Sequence, residues 1–317
     1  MLGEKKKVIV IIGPTAVGKT RLSVELAQRV NGEIISGDSM QIYKEMDIGT
    51  AKVSKEEMQG VPHYLIDVKE PTEPYSVAEF QQEVRELIDR ISVKGCIPII
   101  AGGTGLYIQS VLFDYQFSDV GKNEEIRMRL ERQVEEEGMD AVYGELRKID
   151  PVSAANIHPN NVRRVIRALE VFHTTGKTMA EFQESQEQEL LYDVAFVGLT
   201  MDREALYDRI NLRVDLMVEQ GLFEEVESLY KKGIRDCQSI QAIGYKELYR
   251  YFNGMLTKEQ AIDALKQNSR RYAKRQLTWF RNKMDVTWFD MTDAVFEDIL
   301  EEIFLFVAGK LQLEANK

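Results

Sequence analysis

Cysteine and histidine are scarce in this 317-residue sequence, which contains only two cysteines and three histidines. Cys96 and Cys237 lie far apart and form no CxxC pair, so neither a disulfide framework nor a zinc site is expected. His63, His158 and His173 have no second ligand at metal-binding spacing, and we expect structural or surface roles for them. The low cysteine content fits a reducing, cytoplasmic compartment.

Long apolar runs are also missing. The basic residues 1–7 precede an apolar run only from Val8 to Ile12, which is too short for a signal peptide or a membrane span. We therefore expect no targeting segment, no membrane association and a monomer. The 44% content of hydrophobic residues suffices for one large core, with or without a smaller attached domain.

Positive charge is deficient overall, because the net charge is −11. This balance argues against nonspecific coating of nucleic acid, which requires positive potential at the contact surface. Locally the balance reverses, since the stretch from Ala264 to Met284 has no acidic residue. Its basic residues alternate with aromatic ones, which indicates a polyanion site. The alternative is a surface helix whose long side chains cover the core.

The first hundred residues predict an α/β fold. An apolar run at residues 7–12 leads through a glycine-rich loop into residues 21–30, where apolar residues recur at helical spacing. A second helix is predicted at 76–93. Further short apolar runs predict strands at residues 33–36, 64–68 and 97–101. The pattern is typical of a P-loop NTPase-like parallel sheet core covered by helices.

A helical insertion is predicted to interrupt this core. From about residue 121 the sequence consists of charged helical segments without apolar strand-like runs, and a strand pattern returns at residues 195–199. We therefore divide the chain into a first core part at 1–120, a helical insertion at 121–193, and a mostly helical second core part at 194–317.

One segment matches the P-loop pattern G-x-x-x-x-G-K-[ST], between a predicted strand and a predicted helix. Its residues are Gly13, Pro14, Thr15, Ala16, Val17, Gly18, Lys19 and Thr20. In such loops the backbone amides bind a diphosphate, the lysine adds a positive charge and the final hydroxyl is a ligand of Mg²⁺. The loop does not specify what the phosphates are attached to.

The usual assignment for such a loop is an NTPase or a small-molecule kinase, in which an acidic residue after an apolar strand helps to hold Mg²⁺. Asp67, at the end of Leu65–Asp67, is the candidate for that acid. A GTPase is not favoured, because the sequence contains no N-K-x-D motif.

Two further loops follow predicted strands. Asp38 comes directly after the second strand, and Thr104 lies in the glycine-rich turn of residues 102–107 after the strand at 97–101. Loops at the carboxyl ends of parallel strands open onto the ligand crevice, so Asp38 is predicted to lie near the phosphates. The glycines of the second turn would let its backbone approach a ligand closely. The alternatives are ordinary N-cap and turn chemistry for Asp38 and a plain strand-to-helix turn for the glycines.

Several motifs together resemble the bacterial tRNA dimethylallyltransferases, also called tRNA isopentenyltransferases. They occur in order over nearly the whole chain: GPTAVGKT, DSMQIY with DIGTAK, AGGTGLY, VRRVIRALEV, QAIGYKE and RQLTWFR. The sequence departs from the family at Val17, where serine is common, and at Gly37, where alanine or valine is usual. Neither change removes a reactive group.

The resemblance implies a core and an insertion that together clamp the anticodon stem-loop of tRNA. It implies transfer of a dimethylallyl group from dimethylallyl diphosphate to the exocyclic nitrogen of the adenine 3′ to the anticodon, with Mg²⁺. Carried over by motif, Thr15, Lys19 and Thr20 hold the diphosphate with its metal. Asp38 is the general base, with Thr104 at the reacting centre. Both contact the tRNA.

The remaining carried-over roles are a second cation on the diphosphate and a set of tRNA contacts. The cation is Arg213; the alternative is an exposed arginine paired with a carboxylate of its own helix. The tRNA contacts are Ser39, Met40, Gln41, Arg127, Arg163, Arg164, Val165, Ile166, Arg167, Gln241, Gly244, Tyr245, Lys246 and Arg275. Arg163 and Arg167 share a helix face suited to an RNA backbone. The alternative is a solvated face on which Arg167 pairs with Glu170.

Three functions stay open at this point. The first is an RNA-modifying prenyl transferase. The second is an ATP-dependent small-molecule kinase in which Asp38 activates a hydroxyl group. The third is an RNA-binding protein with the same loop but no transferase activity.

Overall fold

A computed structural model describes residues 5–115, 123–184 and 189–313. The chain forms two compact units, which divide after Leu112 and before Leu190. The smaller unit overlaps the helical insertion predicted at 121–193. The predicted boundary between residues 120 and 121 lies outside the described residues. The predicted boundary between residues 193 and 194 comes after the observed division, which precedes Leu190, and lies within a strand that begins at Asp193.

The larger unit is built on one six-stranded sheet. The strands are β1 Lys7–Ile12, β2 Gly32–Gly37, β3 His63–Tyr64, β4 Ile97–Gly102, β5 Asp193–Thr200 and β6 Thr287–Asp290. They are all parallel, in the order β3-β2-β4-β1-β5-β6, as the α/β prediction requires. The strand predicted at residues 64–68 is wrong beyond Tyr64, because the chain turns at Leu65 and Asp67, which both have positive φ.

The centre of the sheet is completely buried. Every side chain from Val8 to Ile12 is 0% exposed, because helices cover both faces of a parallel sheet. β1 lies between β4 and β5. The carboxyl ends of these three strands therefore meet at one edge of the sheet, where ligand sites of parallel α/β folds lie.

The larger unit contains nine α-helices among the described residues. They are α1 Lys19–Val30, α2 Lys55–Met58, α3 Val77–Val93, α4 Gly105–Leu112, α10 Arg203–Glu219, α11 Leu222–Lys231, α12 Tyr245–Phe252, α13 Lys258–Lys283 and α14 Phe296–Leu311. Local signals set their starts: Ser76 with Glu79, and Thr257 with Gln260, form capping boxes before α3 and α13. In the described part of the chain, no helix combines the length and apolarity that crossing a membrane requires.

The smaller unit consists of helices α5 Glu124–Glu137, α6 Met139–Ile149, α7 Pro151–Asn156, α8 Val162–Thr175 and α9 Met179–Glu184. Its core includes the side chains of Val165 and Ile166, which are 0% and 4% exposed. The prediction that these two residues contact tRNA is corrected here for their side chains, because packing among α5, α6 and α8 leaves them no access to a ligand.

Candidate active site

The Gly13–Thr20 loop connects β1 to α1 and requires unusual backbone angles. Gly13, Ala16 and Gly18 have φ of 153°, 66° and 110°. A Cβ atom at Gly13 would also lie only 2.7 Å from the carbonyl oxygen of Leu199. No side chain caps α1 at Gly18. The first amides of α1 are therefore available to an anion at the helix N-terminus.

Lys19 is held inside this loop. Its Nζ atom donates to the carbonyl oxygens of Gly13 at 3.0 Å and Pro14 at 2.7 Å. Burial and, after it, the positive charge of Arg213 lower the pKa of Lys19 to about 7, against the opposing effect of the Asp38 carboxylate. A bound diphosphate would favour the charged ammonium form.

This pKa leads to a prediction about proton uptake. At about pH 8, above the pKa of about 7, Lys19 is mostly neutral without ligand, so binding of a diphosphate should take up nearly one proton. The affinity for the donor should then fall as pH rises through this range, by up to about tenfold per unit. Calorimetry of donor binding in two buffers of different ionisation enthalpy measures the uptake. Binding without any proton uptake at that pH would contradict the lowered pKa of Lys19.

Two cavities open at this edge of the sheet. The first cavity, of ≈400 Å³, is lined by residues 15, 16 and 18–20 of the Gly13–Thr20 loop together with Arg209 and Arg213. The second cavity, of ≈310 Å³, is lined by Ser39, Met40 and residues that follow α11. The same residues line both cavities where they adjoin: Thr15, Asp38, Thr50, Ala51, Arg213 and Tyr272.

Asp38 and Thr104 lie close together, and Asp38 lines both cavities, whereas Thr104 is not among the residues that line them. Thr104 Oγ1 accepts a hydrogen bond of 3.3 Å from the amide of Ser39, and the Thr104 amide donates to the Gly37 carbonyl at 3.3 Å. Asp38 Oδ1 accepts a bond of 2.8 Å from the amide of Met40. This last bond is of the local turn type that was the alternative role for Asp38. It uses one carboxylate oxygen, and no other hydrogen bond within the described ranges reaches that carboxylate.

Gln41 is fixed by the loop that follows it. Its Oε1 atom accepts from the Ser36 hydroxyl at 3.1 Å, and its Nε2 atom donates to the carbonyls of Thr50 and Ala51 at 3.3 and 3.2 Å. The DSMQIY and DIGTAK segments therefore fold onto each other beside the cavities. The two motifs therefore contribute to a single local structure.

Arg213, on α10, lines both cavities. Burial lowers its pKa, while the carboxylates of Asp38 and Glu57 oppose that shift. Throughout residues 5–115, 123–184 and 189–313, it forms no ion pair. The alternative of a surface arginine paired with its own helix therefore does not describe the observed geometry, and its charge faces the cavities.

Glu225 was not found by sequence reasoning and organises the DIGTAK loop. Its carboxylate accepts from the amides of Asp47, Ile48 and Gly49 at 2.7–3.0 Å and from the Tyr245 hydroxyl at 2.6 Å. The ring of Tyr245 is 0% exposed and packs directly on Gly49. The predicted contact of Tyr245 with tRNA is therefore corrected to a structural role.

The other predicted residues of the QAIGYKE motif differ in position. Gln241 and Lys246 line the second cavity, together with Arg275 of α13. Gly244 precedes α12 with φ of 101°, and its amide donates to Glu247 at 2.8 Å. Gly244 therefore sets the start of a helix rather than presenting a side chain.

Asp67, the candidate Mg²⁺ ligand of a kinase, lies elsewhere. It bonds Lys52 at 2.5 Å, and Lys52 also donates to Asp47 at 2.6 Å and to the Tyr43 carbonyl at 2.8 Å. Asp67 lines neither cavity. Its charge balances a buried lysine, so this candidate was wrong.

The arginines of the smaller unit fall into two groups. Arg127 and Arg167 pair with Glu170 at 2.8 and 3.2 Å. Burial opposes ionisation of Glu170, but these bonds and one from the Asn123 amide outweigh it and lower its pKa. The ion pair of the alternative interpretation is thus present for Arg167. Arg163 and Arg164 are exposed, without an ion pair to any described residue.

The basic stretch before Met284 forms the second half of α13. Lys266 pairs with Asp215 at 2.6 Å, and Arg270 donates to Asn211. Arg271, Lys274 and Arg275 are exposed and form no ion pair with the described part of the chain. The helix therefore combines both interpretations, with bonded basic residues near its middle and an exposed basic face beyond.

Two residues of α13 for which the sequence predicted no role at the site also reach it. Tyr272 lies where the cavities adjoin; burial, followed by the charge of Asp38, raises its pKa to about 12. Gln276 accepts from the Thr15 amide at 3.0 Å and donates to the Gly103 carbonyl at 3.1 Å. Gln276 falls inside the RQLTWFR motif, but neither residue type has a distinctive catalytic pattern.

Comparison with known proteins shows the family of this chain. A sequence model of the IPP transferase family matches residues 41–283. The chain belongs to this family. Members that are named tRNA dimethylallyltransferase include proteins of Bacillus cereus strain Q1 and Bacillus anthracis. Each is 64% identical over 313 residues, which is 99% of this chain and 98% or 99% of the relative.

Solved structures of the IPP transferase family share the fold. The full-length tRNA isopentenylpyrophosphate transferase of Bacillus halodurans is 56% identical, with a TM-score of 0.75 and 97% coverage of both chains. A eukaryotic dimethylallyltransferase acting on tRNA is 36% identical, with a TM-score of 0.78, and the match covers 91% of this chain and 74% of that one. The chain is therefore a transferase that modifies tRNA.

Proposed function

We propose that this chain transfers the dimethylallyl group of dimethylallyl diphosphate to N6 of the adenine next to the 3′ side of the anticodon in tRNA, with release of diphosphate. The observation that carries the proposal is the adjoining of the two cavities at Thr15, Asp38 and Arg213. With the diphosphate donor in the first cavity and the adenine of the tRNA in the second, the reacting atoms of both substrates would meet there.

Breaking the donor's carbon–oxygen bond is the first requirement of the reaction. An amino nitrogen conjugated with a purine ring is a poor nucleophile, so the donor must be activated by stabilising the leaving diphosphate. The loop amides, Lys19 and Arg213 supply positive charge at partly buried positions, where such charge acts more strongly than in water. As the oxygen leaves, positive charge develops on the allylic carbon.

Mg²⁺ fits the oxygen groups at this site. Thr20 and Asp38 line the first cavity and offer a hydroxyl and a carboxylate oxygen. Mg²⁺ prefers oxygen ligands and commonly takes few from the protein and the rest from phosphates and water. We propose Thr20 as its protein ligand. The ion would neutralise charge on the departing diphosphate.

Asp38 completes the proton balance. The adenine N6 forms a bond to the allylic carbon while the carbon–oxygen bond to diphosphate breaks, and N6 becomes ammonium-like and acidic. Its excess proton passes to the Asp38 carboxylate, which keeps an oxygen without another bonded partner among the described residues. A carboxylate can accept so acidic a proton.

The tRNA must present its adenine outside the base stack, because a stacked base cannot enter a cavity. Exposed arginines, Arg163 and Arg164 on α8, and the basic face of α13 are suited to phosphate contacts. We propose these surfaces as anticodon stem-loop contacts of a cytoplasmic monomer.

One experiment separates this function from an ATP-dependent kinase. The protein is incubated with unmodified tRNA and Mg²⁺, in parallel with labelled dimethylallyl diphosphate or labelled ATP. Label from the prenyl donor should enter tRNA. Label transferred only from ATP, or none from either donor, would refute the proposal.

Arg163 and Arg164 provide a test of the RNA contacts. Replacing both with alanine should weaken tRNA binding and reduce the slope of log Kd against log salt concentration by up to about one per lost phosphate contact. The donor Kd should be unchanged. Arg132→Ala, at another exposed arginine of the smaller unit, is the control and should leave the slope unaltered. An unchanged slope in the double variant would assign both arginines to a solvated face.

A further inference from the structure

Gln276 joins two loops that carry different parts of the reaction. The side chain is 5% exposed and lines the first cavity. Oε1 accepts from the Thr15 amide at 3.0 Å, and Nε2 donates to the Gly103 carbonyl at 3.1 Å. Thr15 belongs to the Gly13–Thr20 loop, whereas Gly103 immediately precedes Thr104.

The fold explains why this link matters. The two loops leave neighbouring strands of the sheet, β1 and β4, where Ile12 pairs with Gly102. The hydrogen bonds between the strands end there. Beyond the strand ends, Gln276 of α13 links Thr15 to Gly103, and a Cβ atom at Gly103 would lie only 2.0 Å from its Nε2 atom. Even the smallest side chain at Gly103 would therefore displace this amide.

The chemistry of the side chain is also specific. A buried backbone N–H needs an acceptor and a buried C=O needs a donor. Among side chains of this length, a neutral amide supplies both at once. A glutamate at position 276 would place an acceptor against the Gly103 carbonyl, and a methionine would bond neither group.

We propose that Gln276 is a positioning residue that holds the diphosphate loop at a fixed separation from the turn carrying Thr104, and so aligns the allylic carbon with the acceptor nitrogen. This inference rests on the proposed function. Tyr272, one helical turn earlier in α13, interacts with both Thr104 and Gln276. The same helix therefore contacts both sides of the reacting centre.

The test compares two variants with a matched control. Gln276→Met removes both bonds at similar length, and Gln276→Glu keeps the acceptor for Thr15 but loses the donor to Gly103. Tyr249→Phe is the control, because it removes a 3.0 Å bond to the Ile234 carbonyl from a side chain that is 6% exposed and lines neither cavity. Single-turnover rate, donor Kd, tRNA Kd and Tm are measured for each folded protein.

Misalignment at the reacting centre should lower the single-turnover rate of Gln276→Met about 10–100-fold, with tRNA Kd within about threefold. Gln276→Glu should show a similar rate loss and weaker donor binding, since it adds negative charge to the diphosphate cavity. Tyr249→Phe should change only Tm. A lowered Tm with a rate within about threefold of wild type in either Gln276 variant would reduce Gln276 to a packing residue. Absence of transfer by the wild-type protein would instead refute the proposed function.

Discussion

Asp38→Asn is expected to lower the single-turnover rate of prenyl transfer by about 10²–10⁴-fold, the usual effect of losing a positioned general base. Asparagine keeps the size of the side chain and one oxygen that can accept the Met40 amide bond of 2.8 Å. It cannot take the proton from the acidic nitrogen. Both substrates should still bind, so the loss should appear in the rate at saturating tRNA.

Asp67→Asn is the matched control for this substitution, because Asp67 lies outside both cavities and bonds Lys52. Its rate should remain within about threefold of wild type. If Asp38→Asn retained its rate within the same limit, Asp38 would not be the base, and Ser39, Thr104 or a bound water would be the next candidates. A kinase would show the effect of Asp38→Asn only with ATP and a hydroxylic acceptor.

Lys19→Ala is expected to reduce transfer by at least about 10²–10³-fold, because it removes the positive charge that stabilises the negative charge developing on the leaving diphosphate. Thr20→Ala should have a comparable effect through the metal. Neither residue lines the second cavity. The tRNA Kd should therefore stay within about threefold in both variants.

The two measurements separate donor binding from RNA binding. Donor Kd from calorimetry should rise in Lys19→Ala, while tRNA Kd from a filter or anisotropy assay should not. A variant that lost tRNA binding as completely as it lost transfer would place Lys19 or Thr20 on the RNA instead of the diphosphate.

The fold and the centre of the site could be predicted because their signals are local. The Gly13–Thr20 loop is contiguous, and its glycines meet backbone requirements that the sequence displays directly. Asp38 and Thr104 follow buried strands, and parallel strands bring their carboxyl ends to one edge. The closeness of these two residues therefore follows from two short patterns.

Gln276 and Glu225 could not be predicted because their partners are distant in the sequence. Gln276 bonds Thr15 across 261 positions, and Glu225 bonds Asp47 across 178. No local periodicity records such a pairing. Glu225 appears in sequence only as one more acidic residue of an amphipathic helix.

The motifs contain residues that pack in the core as well as residues that face ligands, so belonging to a motif did not by itself identify a site residue. Val165, Ile166 and Tyr245 lie in recognisable motifs, but their side chains are buried. In VRRVIRALEV, helical periodicity alone separates the buried Val165 and Ile166 from the exposed Arg163 and Arg164. Tyr245 offered no such signal, because its partners, Gly49 and Glu225, come from other segments.

The most direct test of the central claim is the identity of the product. Unmodified tRNA is incubated with the wild-type protein, Mg²⁺, dimethylallyl diphosphate and ATP together. One portion is digested to nucleosides and another to oligonucleotides, both for mass spectrometry, while released diphosphate is quantified. We predict one adenosine per substrate tRNA with a dimethylallyl group on N6, located 3′ to the anticodon, and one diphosphate for each group transferred. Diphosphate release without a modified adenosine, or a phosphorylated product in its place, would contradict the account.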